Sequence, residues 1–383
     1  MPYPGPLRGL RVIEIAAIGP VPLAGMLLAD LGADVQRIDR LEASGLGLAL
    51  APRHDVNARG RRSVALDLKH AAGRDAALRL ITRADVLLEG LRPGVTEKLG
   101  LGPDDCHAMN PGLVYGRMTG FGQTGPLAKA AGHDLNYIAL TGVLHAIGPI
   151  GGKPVAPLNL VGDYGGGALY LAFGVMAALY ERQRSGCGQV VDAAMVDGAA
   201  SLASIFWGLQ AAGQWGEPRG ENLLDGGAPF YDTYETADGK YVSLAALEPK
   251  FFALLADALG LDTRFVQQQY DRRLWPEMRA AIGSAVQLRT RQAWCERLEG
   301  SDACFAPVLD FEEATSHPHA LARGAFVAVD GVRQPAPAPR FSRTPAQHPR
   351  PAPTAGQHSD ELLREAGFTD DEMAALRAAG ALR

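Results

Sequence analysis

Short apolar runs alternate with stretches of helical periodicity along the first part of the chain. Residues 10–15 predict a buried strand, and the stretches at 33–39, 63–68, 84–89 and 112–117 predict four further strands. Residues 23–31 have apolar positions at helical spacing and stop at Gly32, and a second helix is predicted to run through about Ile81. Such alternation indicates a mostly parallel sheet with helices on its faces.

The rest of the chain has a more mixed pattern. A long helix is predicted at 164–184, a strand at 189–192 and a helix at 196–212, followed by a glycine-rich polar stretch at 214–229. A hairpin-like pair at 230–236 and 240–245 and helical patterns at 249–259, 275–282 and 289–298 indicate a smaller α+β region. Residues 332–353 are dense in proline and arginine, and predict an extended connector before a last helix at 359–379.

These patterns predict an α/β protein with a Rossmann-like large domain, built on a mostly parallel sheet, and a smaller α+β domain. The large domain takes residues 1–200 and 330–383, the small domain takes 229–315, and 201–228 and 316–329 are the expected linkers. The Gly-x-Gly-x-x-Gly loop of dinucleotide-binding folds does not follow the first strand, and the sequence has no P-loop. The predicted architecture therefore comes without the usual phosphate-binding loops.

Composition excludes several classes of ligand and location. The chain has 383 residues and a net charge of −5, which gives no general electrostatic reason to bind nucleic acid or an anionic membrane. Its four cysteines form no Cys-x-x-Cys pair and no metal signature, and are expected to be reduced thiols: Cys106, Cys187, Cys295 and Cys304. The apolar run at 169–180 is too short to span a bilayer, and the first residues do not resemble a signal peptide. A cytoplasmic protein is expected.

The first candidate for chemistry is a histidine in a polar cluster that follows a glycine-rich loop at 121–126. The cluster is Gly132-His133-Asp134-Leu135-Asn136-Tyr137. A histidine just before a helix is suited to act as a general base near neutral pH. The alternative is that these residues only begin a helix, with Asp134 as its cap, and spacing alone favours this second interpretation.

The second candidate is Asp163, which precedes three consecutive glycines at 165–167. Glycine costs a helix roughly 0.5–1 kcal/mol relative to alanine, so the run suggests a close approach to the backbone. Free N–H groups at a helix N-terminus attract negative charge, such as that of an enolate or thioester oxygen. The alternative is that Asp163 is an ordinary N-cap. Bonds from helix N–H groups would lower the pKa of Asp163 and burial would raise it, and the sequence leaves that balance open.

Basic side chains are concentrated in the first hundred residues. Arginine suits bidentate phosphate binding, although most of these residues are expected on the solvated surface: Arg37, Arg40, Arg53, Arg59, Arg61, Arg62, Lys69 and Arg92. Arg40 and Lys69 differ because they fall at predicted strand ends, where an open α/β sheet places its ligands. Glu248 precedes Pro249 at a predicted helix start, and by itself it indicates only an exposed N-terminal glutamate.

Taken in order along the chain, these stretches resemble the class III CoA-transferase family, and specifically its α-methylacyl-CoA racemase branch. Residues 132–137 resemble that branch's Gly-His-Asp-hydrophobic-Asn-Tyr motif, and 157–167 resemble its second motif. Further similar stretches lie at 185–193, 219–229, 302–308 and 356–359, so the resemblance covers nearly the whole chain. Residues 45–56 match no family motif, which leaves the preferred acyl group open.

The resemblance implies a racemase that inverts the α-carbon of a 2-methylacyl-CoA thioester without a metal or organic cofactor. His133, oriented by Glu248, and Asp163, close to Asn159, would be acid/base groups on opposite faces of that carbon. Residues 132–137 would line the thioester end. The nucleotide and phosphates of CoA would be held by Arg40, Leu66, Asp67, Leu68, Lys69 and Arg92. The family forms interlocked homodimers, with the active site between the large domain of one chain and the small domain of the other.

Two other functions fit parts of the pattern. In a CoA-transferase that moves CoA between carboxylic acids, Asp163 would be a nucleophile that forms an anhydride and then an enzyme thioester. His133 argues against transfer, because transferase branches of the family do not need a histidine there. The stretch at 214–227 also does not form a separate glycine-rich lid of the kind that some transferases use. A non-catalytic acyl-CoA-binding protein would have no need to combine His133, Asp163 and Glu248.

Overall fold

A computed structural model describes residues 5–42, 45, 47–48 and 50–383 of the chain. The chain divides into two compact units. The first contains the chain up to Thr141 together with Leu158–Leu202 and His319–Arg383, and the second contains Gly142–Pro157 and Ala203–Pro318. The short segment Gly142–Pro157 is thus an excursion from the first unit into the second, which no sequence pattern indicated.

Six parallel strands form the sheet of the first unit, in the order β3-β2-β1-β4-β5-β6. Their bounds are β1 (Arg11–Ile15), β2 (Asp34–Asp39), β3 (Arg62–Ala65), β4 (Val86–Glu89), β5 (Val114–Thr119) and β6 (Val190–Ala194). The predicted mostly parallel sheet is therefore confirmed. The strand order reverses between β1 and β4, and the crevice at the carboxyl ends of such neighbouring strands is where open α/β sheets bind ligands.

Helices surround this sheet and build much of the second unit. They are α1 (Pro20–Asp30), α2 (Ala71–Ile81), α3 (Val95–Lys98), α4 (Pro103–Met109), α5 (Asp134–Ala139), α6 (Val143–Ala146), α7 (Tyr170–Ser185), α8 (Met195–Leu202), α9 (Ser204–Ala211), α10 (Pro249–Leu259), α11 (Thr263–Gln267), α12 (Trp275–Val286), α13 (Arg291–Leu298), α14 (Phe311–Ser316), α15 (Pro318–Arg323), α16 (Ser359–Glu365) and α17 (Asp370–Ala378). A π-helix, Leu160–Leu169, runs directly into α7.

Both faces of the central strands are buried. Ile13 and Leu87 pack on one face with residues of α2 and α16, whereas Val12 and Val86 pack on the other face with residues of α1 and α7. Successive side chains of a strand point to opposite faces, so a strand covered on both sides needs apolar residues at every position. This explains why the central strands β1 and β4 are mostly apolar.

The second unit contains a three-stranded antiparallel sheet with helices packed against it. The strands are β7 (Tyr231–Glu235), β8 (Tyr241–Ala245) and β9 (Phe305–Pro307), in that order. The core lies around Phe230, whose ring centroid is 5.4 Å from that of Phe252 and 5.9 Å from that of Trp275. Such aromatic clusters give a small unit a large buried apolar area.

Three predicted segments differ from the structure. The helix predicted at 196–212 is divided into α8 and α9 at Ala203, and the last helix is divided into α16 and α17 near Gly367, whose φ of 85° ends a helix. The connector predicted at 332–353 begins as β11 (Val332–Pro335), which pairs with β10 (Phe326–Val329). Asp330 and Gly331 both have positive φ, as a tight hairpin turn requires, and this Asp-Gly signal was missed.

Three arginines expected on the solvated surface are buried in ion pairs instead, which corrects that prediction. The pairs are Arg59 with Asp30 at 2.6 Å, Arg61 with Glu14 at 2.9 Å and Arg62 with Asp34 at 2.7 Å. Every pair joins segments that are distant in the sequence, so the composition around each arginine gave no sign of it. These guanidinium groups connect β3 and the segment before it to α1, β1 and β2, and they are bound to carboxylates in the interior and not exposed to solvent.

One continuous helical stretch, Leu160–Ser185, is long and apolar enough to cross a membrane by length and composition, and it exceeds the apolar run at 169–180 considered above. Leu171 and Val175 of this stretch are buried in the core beside the sheet. Its other face leaves Phe173 74% and Tyr180 65% exposed. An apolar helix that is attached to a sheet on one side and open on the other is typical of a protein interface.

Candidate active site

His133 is the N-cap residue of α5, in the chain segment that follows β5. Its side chain is exposed, and its backbone N–H donates to Oδ1 of Asn136 at 3.1 Å. Asp134 is the first residue inside the helix, so the interpretation of Asp134 as the cap is wrong. The Asn136 side chain instead closes this helix start and holds the backbone of His133.

Tyr137 anchors the same segment to the end of β5. Its hydroxyl donates to the carbonyl oxygen of Gly132, and its ring lies edge-on to that of Phe121, with centroids 4.9 Å apart. A Cβ at Gly120 would stand 2.1 Å from the Tyr137 ring, so only glycine fits there. Burial raises the pKa of the Tyr137 hydroxyl, and the nearby charge of Asp163 raises it further, which keeps the phenol protonated.

Asp163 lies in the first turn of the π-helix and not at its cap, which is Asn159. The Nδ2 of Asn159 donates to Oδ2 of Asp163 at 3.1 Å, and the Asp163 backbone N–H donates to Oδ1 of Asp134 at 2.6 Å. Gly19, which follows β1 and caps α1, faces the same carboxyl group, because a Cβ there would lie 3.4 Å from Oδ2 of Asp163. Asp163 is therefore held by the segments after β1 and β5.

The electrostatic balance at Asp163 favours its protonated form. Burial is the largest influence and raises the pKa of Asp163. The hydrogen bond from Asn159 lowers that pKa, the charge of Asp134 raises it, and the positive charge of His133 lowers it. The net effect raises the pKa of Asp163, so burial outweighs the hydrogen bond from Asn159. The sequence had left this balance open. The 2.6 Å bond from the Asp163 N–H to Asp134, the residue after His133, brings the segments of the two predicted acid/base residues together.

The three consecutive glycines have a packing role. A Cβ at Gly166 would stand 2.6 Å from the backbone nitrogen of Ala199 in α8, and a Cβ at Gly167 would stand 3.0 Å from the side chain of Pro20 in α1. The close approach that the glycines indicated is therefore made by neighbouring helices of the protein. Among the N–H groups at this helix start, that of Asp163 is bonded to Asp134 and is not free for a substrate oxygen.

The residues expected to hold CoA all follow strands β2, β3 and β4, at their carboxyl ends. Arg92 is exposed, and its charge lowers the pKa of Tyr137, against the stronger effect of burial. Arg40 and Lys69 are exposed. Leu66 is 1% exposed and belongs to the core, with Leu68 packed against it, so neither presents an open side chain. The carboxylate of Asp67 accepts the backbone N–H of Lys69 at 2.9 Å.

Glu248 belongs to the second unit, where it is the exposed N-cap residue of α10. The carbonyl oxygen of Leu247 accepts hydrogen bonds from the Tyr270 hydroxyl and from Nε2 of Gln269, the latter at 3.0 Å. Pro249 at the first helical position fixes the entry of the chain into α10. The backbone that presents Glu248 is thus held in place by its own unit.

Sequence reasoning missed Gly19, which faces the Asp163 carboxyl group. A usable signal was present, because Gly19-Pro20 directly follows the first predicted strand, and that loop borders the ligand crevice of an open α/β sheet. The unmatched stretch at 45–56 contains residues 46 and 49, which lie outside the described residues, so its relation to an acyl pocket stays a prediction.

Known proteins share both the sequence pattern and this architecture. Residues 7–359 match CoA-transferase family III. The chain is 48% identical over 370 residues to a mouse (Mus musculus) protein named alpha-methylacyl-CoA racemase, with 96% of this chain and 95% of the relative covered. It is 45% identical over 371 residues to the human (Homo sapiens) protein of the same name, with the same coverage of both chains. A crystal structure of a CAIB/BAIF family protein from Brucella suis superimposes with a TM-score of 0.81 at 25% identity, covering 95% of this chain and 100% of that one.

The doubly wound α/β fold and the family match over residues 7–359 define the class of protein. This chain belongs to CoA-transferase family III, as its sequence motifs predicted.

Proposed function

We propose that the protein is an α-methylacyl-CoA racemase, which interconverts (2R)- and (2S)-2-methylacyl-CoA thioesters. The names of the mouse and human relatives support this function, in agreement with the motif-based prediction. The observation that carries the mechanism is the hydrogen bond from the partly buried Asp163 to Asp134, the residue after His133, which places the two residues on neighbouring segments. An imidazole and a carboxyl group with a raised pKa are two groups that can each give or accept a proton near neutral pH.

The proposed reaction is a 1,1-proton transfer. One of the two groups removes the α-proton, and the electron pair of the C–H bond moves into the thioester to form an enolate. The other group then donates a proton to the opposite face of the carbon, and the thioester is restored with inverted configuration. Each positioned group of this kind contributes about 10²–10⁴-fold to the rate. The reverse direction exchanges the roles of His133 and Asp163.

Glu248 is proposed to orient the imidazole of His133, as the family resemblance implies. A carboxylate that accepts a hydrogen bond from one ring nitrogen selects the tautomer and stabilises the imidazolium. Glu248→Gln is therefore expected to reduce inversion while the protein remains folded. Unchanged inversion in that variant would remove Glu248 from the mechanism.

The reaction is proposed to need no metal or organic cofactor, because the thioester itself acidifies the α-proton. Among the described residues, no group of three or more His, Cys, Asp or Glu side chains is arranged to hold a metal ion. Dialysis against a strong chelator is expected to leave the rate of inversion unchanged. A loss of activity that is restored by one divalent cation would contradict this part of the proposal.

CoA is proposed to lie along the carboxyl edge of the sheet, from the ends of β2 and β3 toward the catalytic cluster. Arg40 and Lys69 are exposed cations on that edge, and Arg92 lies beside the Tyr137 cluster. Guanidinium and ammonium groups at strand ends suit phosphate oxygens. Binding energy from the nucleotide would position the distant α-carbon between the two acid/base groups.

A homodimer is also proposed, of the interlocked kind that the family resemblance implies. Phe173 and Tyr180 form an exposed apolar stripe on α7, and Met176 between them is 37% exposed. Residues at this spacing share one face of a helix, and a second copy of the chain is the proposed partner for it. Light scattering coupled to gel filtration should give twice the chain mass of 40.5 kDa.

We also propose that the protein is located in the cytoplasm and acts in fatty acid metabolism.

The decisive experiment follows the α-proton by NMR in heavy water, with a 2-methylacyl-CoA and no acceptor acid. Wild-type protein should exchange the proton of both stereoisomers and invert them. His133→Ala and Asp163→Asn should each abolish inversion in both directions. Each variant should still exchange the α-proton of one stereoisomer with solvent, and the stereoisomer should be a different one in the two variants. This pattern is expected because the remaining group can still remove and return a proton on its own face.

The same experiment separates racemisation from CoA transfer. A transferase would show no exchange without an acceptor acid, and its acyl-enzyme would be inactivated by hydroxylamine, with the label on Asp163. Exchange of both stereoisomers in either variant, or no exchange in the wild type, would overturn the two-base mechanism. Full function in both variants would instead support a non-catalytic acyl-CoA-binding protein.

A further inference from the structure

The carboxylate of Asp134 lies between the two acid/base residues. Asp134 follows His133 directly in α5, and its Oδ1 accepts the backbone N–H of Asp163 at 2.6 Å across a sequence separation of 29 residues. It is only 6% exposed. One side chain therefore connects the helix that carries the imidazole to the π-helix that carries the carboxyl group.

The neighbouring backbone leaves space for this contact. A Cβ at Gly162 would stand 2.6 Å from Oδ1 of Asp134 and 2.9 Å from its Cγ, so any larger residue at 162 would displace the carboxylate. The Gly162 position has an ordinary negative φ, and so conformational freedom does not explain the glycine. The absence of a side chain at 162 is explained by the approach of Asp134.

The second oxygen of Asp134 has no hydrogen-bond partner. Its Oδ2 is buried and unpaired within the described part of the chain. A buried carboxylate oxygen without a partner is costly, and such groups persist where they contribute to function. Here the unpaired oxygen places negative charge beside Asp163, and that charge opposes ionisation of Asp163.

We propose that Asp134 is a positioning residue of the reaction: its Oδ1 sets the backbone of Asp163 relative to His133, and its buried, unpaired carboxylate acts on the Asp163 carboxyl group through its negative charge. This inference rests on the proposed racemase function and goes beyond it. The two acid/base groups would otherwise be independent, since they come from separate segments of the chain. Asp134 thus makes the position and the proton affinity of one group depend on the element that holds the other.

No other charge in the described surroundings of the π-helix replaces that of Asp134. On α5 the titratable neighbours are His133, whose positive charge acts in the opposite direction, and Tyr137, which is protonated. The charged groups on the other elements that pack against the π-helix are either paired or exposed. Asp30 of α1 is paired with Arg59, Arg117 of β5 with Glu89, and Arg182 of α7 with Asp85. Asp192 of β6 and Asp197 of α8 are exposed. Removal of the Asp134 charge should therefore lower the pKa of Asp163.

The test compares Asp134→Asn with Asp134→Ala. Asparagine keeps an oxygen that can accept the Asp163 N–H, but it removes the negative charge that raises the pKa of Asp163. The pKa of Asp163 should therefore fall, and the acid limb of the kcat/KM–pH profile should move to lower pH while inversion persists. Alanine removes the acceptor as well, and kcat/KM should fall about tenfold further, the typical effect of one lost positioning hydrogen bond. The matched control is Asp105→Asn in α4, where the carboxylate also accepts a backbone N–H, from Gly102 at 3.1 Å. This control should leave the profile in place.

A second measurement does not depend on activity. In protein with ¹³C-labelled aspartate carboxyl groups, the resonance that disappears in Asp163→Asn reports Asp163, and its titration should move to lower pH in Asp134→Asn. An unmoved Asp163 titration would overturn the electrostatic role, and equal kcat/KM in the Asn and Ala variants would overturn the positioning role. If wild-type protein shows no α-proton exchange, the racemase proposal fails, while the titration still decides whether Asp134 controls Asp163.

Discussion

The Nδ2 of Asn159 donates to Oδ2 of Asp163 at 3.1 Å, and this is the hydrogen bond that most directly stabilises the ionised form of Asp163. Asn159 is the N-cap residue of the π-helix that contains Asp163. The amide therefore acts against burial, which favours the protonated form. The proton affinity of this carboxyl group depends on both effects, and each can be changed separately.

The first prediction concerns this amide. In Asn159→Ala the pKa of Asp163 should rise further, because a group that lowers it is lost while burial remains. Inversion requires one shared proton on the His133–Asp163 pair, so a higher pKa of Asp163 moves the acid limb of kcat/KM to higher pH. Measurement of kcat/KM between pH 4 and 9 checks the direction. Asp134→Asn should shift the limb the opposite way, and a limb that is unmoved or lowered in Asn159→Ala would contradict the assignment.

The second prediction concerns the contact between the π-helix and α8. A Cβ at Gly198 would stand 1.9 Å from the carbonyl oxygen of Gly166, and a backbone atom cannot move aside cheaply. Gly198→Ala should therefore destabilise the protein by about 3 kcal/mol or more, at the upper end of overpacking effects. The control is Gly208→Ala in α9, where nothing lies within 4 Å of the new methyl group.

Urea unfolding of both variants measures the difference. Gly208→Ala should be neutral or stabilising by about 0.5–1 kcal/mol, because alanine is the better helix former. A Gly198→Ala protein as stable as the wild type would show that the two helices can separate without loss, and that the glycines are not required for their approach.

The third prediction concerns the buried ion pair of Arg61 and Glu14. Arg61 is 1% and Glu14 is 0% exposed, and burial raises the pKa of Glu14 while Arg61 opposes that rise. Arg61→Met leaves a buried carboxylate without its partner and should cost about 3–5 kcal/mol of unfolding free energy. Glu14→Gln combined with Arg61→Met should recover a large part of that loss.

A double-mutant cycle from chemical denaturation gives the coupling between the two residues. Arg273→Met supplies the comparison, because the Arg273 side chain is 89% exposed although it is paired with Asp271. Its effect should stay within about 0.5 kcal/mol. Equal costs for Arg61→Met and Arg273→Met would refute the distinction between buried and surface pairs in this protein.

The fourth prediction concerns the exposed cations at the carboxyl ends of β2 and β3. If Arg40 and Lys69 bind the phosphates of CoA, then Arg40→Gln and Lys69→Gln should each raise KM for an acyl-CoA about tenfold, the usual effect of one charge-assisted hydrogen bond. The KM for the corresponding acyl-pantetheine thioester, which lacks the nucleotide, should not change. Added salt should weaken acyl-CoA binding in the wild type more than in the variants. A KM that rises equally for both thioesters would exclude this assignment.

Much of the fold follows from local patterns that the sequence displays directly. The central strands β1 and β4 are mostly apolar because both faces of the sheet are buried there, and the α10 helix begins and ends where its proline and glycine signals predict. The family also follows from the sequence, since the order of its motifs is itself a linear property. His133 and Asp163 were identified in the same way, from residue types set in recognisable stretches.

Only the tertiary structure decided how these residues are surrounded. The bond from Asp163 to Asp134, the burial of Arg61 against Glu14 and the contact of Gly166 with Gly198 each join residues about 30 or more positions apart. Proton affinity and burial depend on the summed field and the packing of such distant groups. A pattern within a short window contains no information about them. The sequence therefore determined the elements and the family, whereas the three-dimensional packing determined the electrostatic state of the proposed acid/base residues.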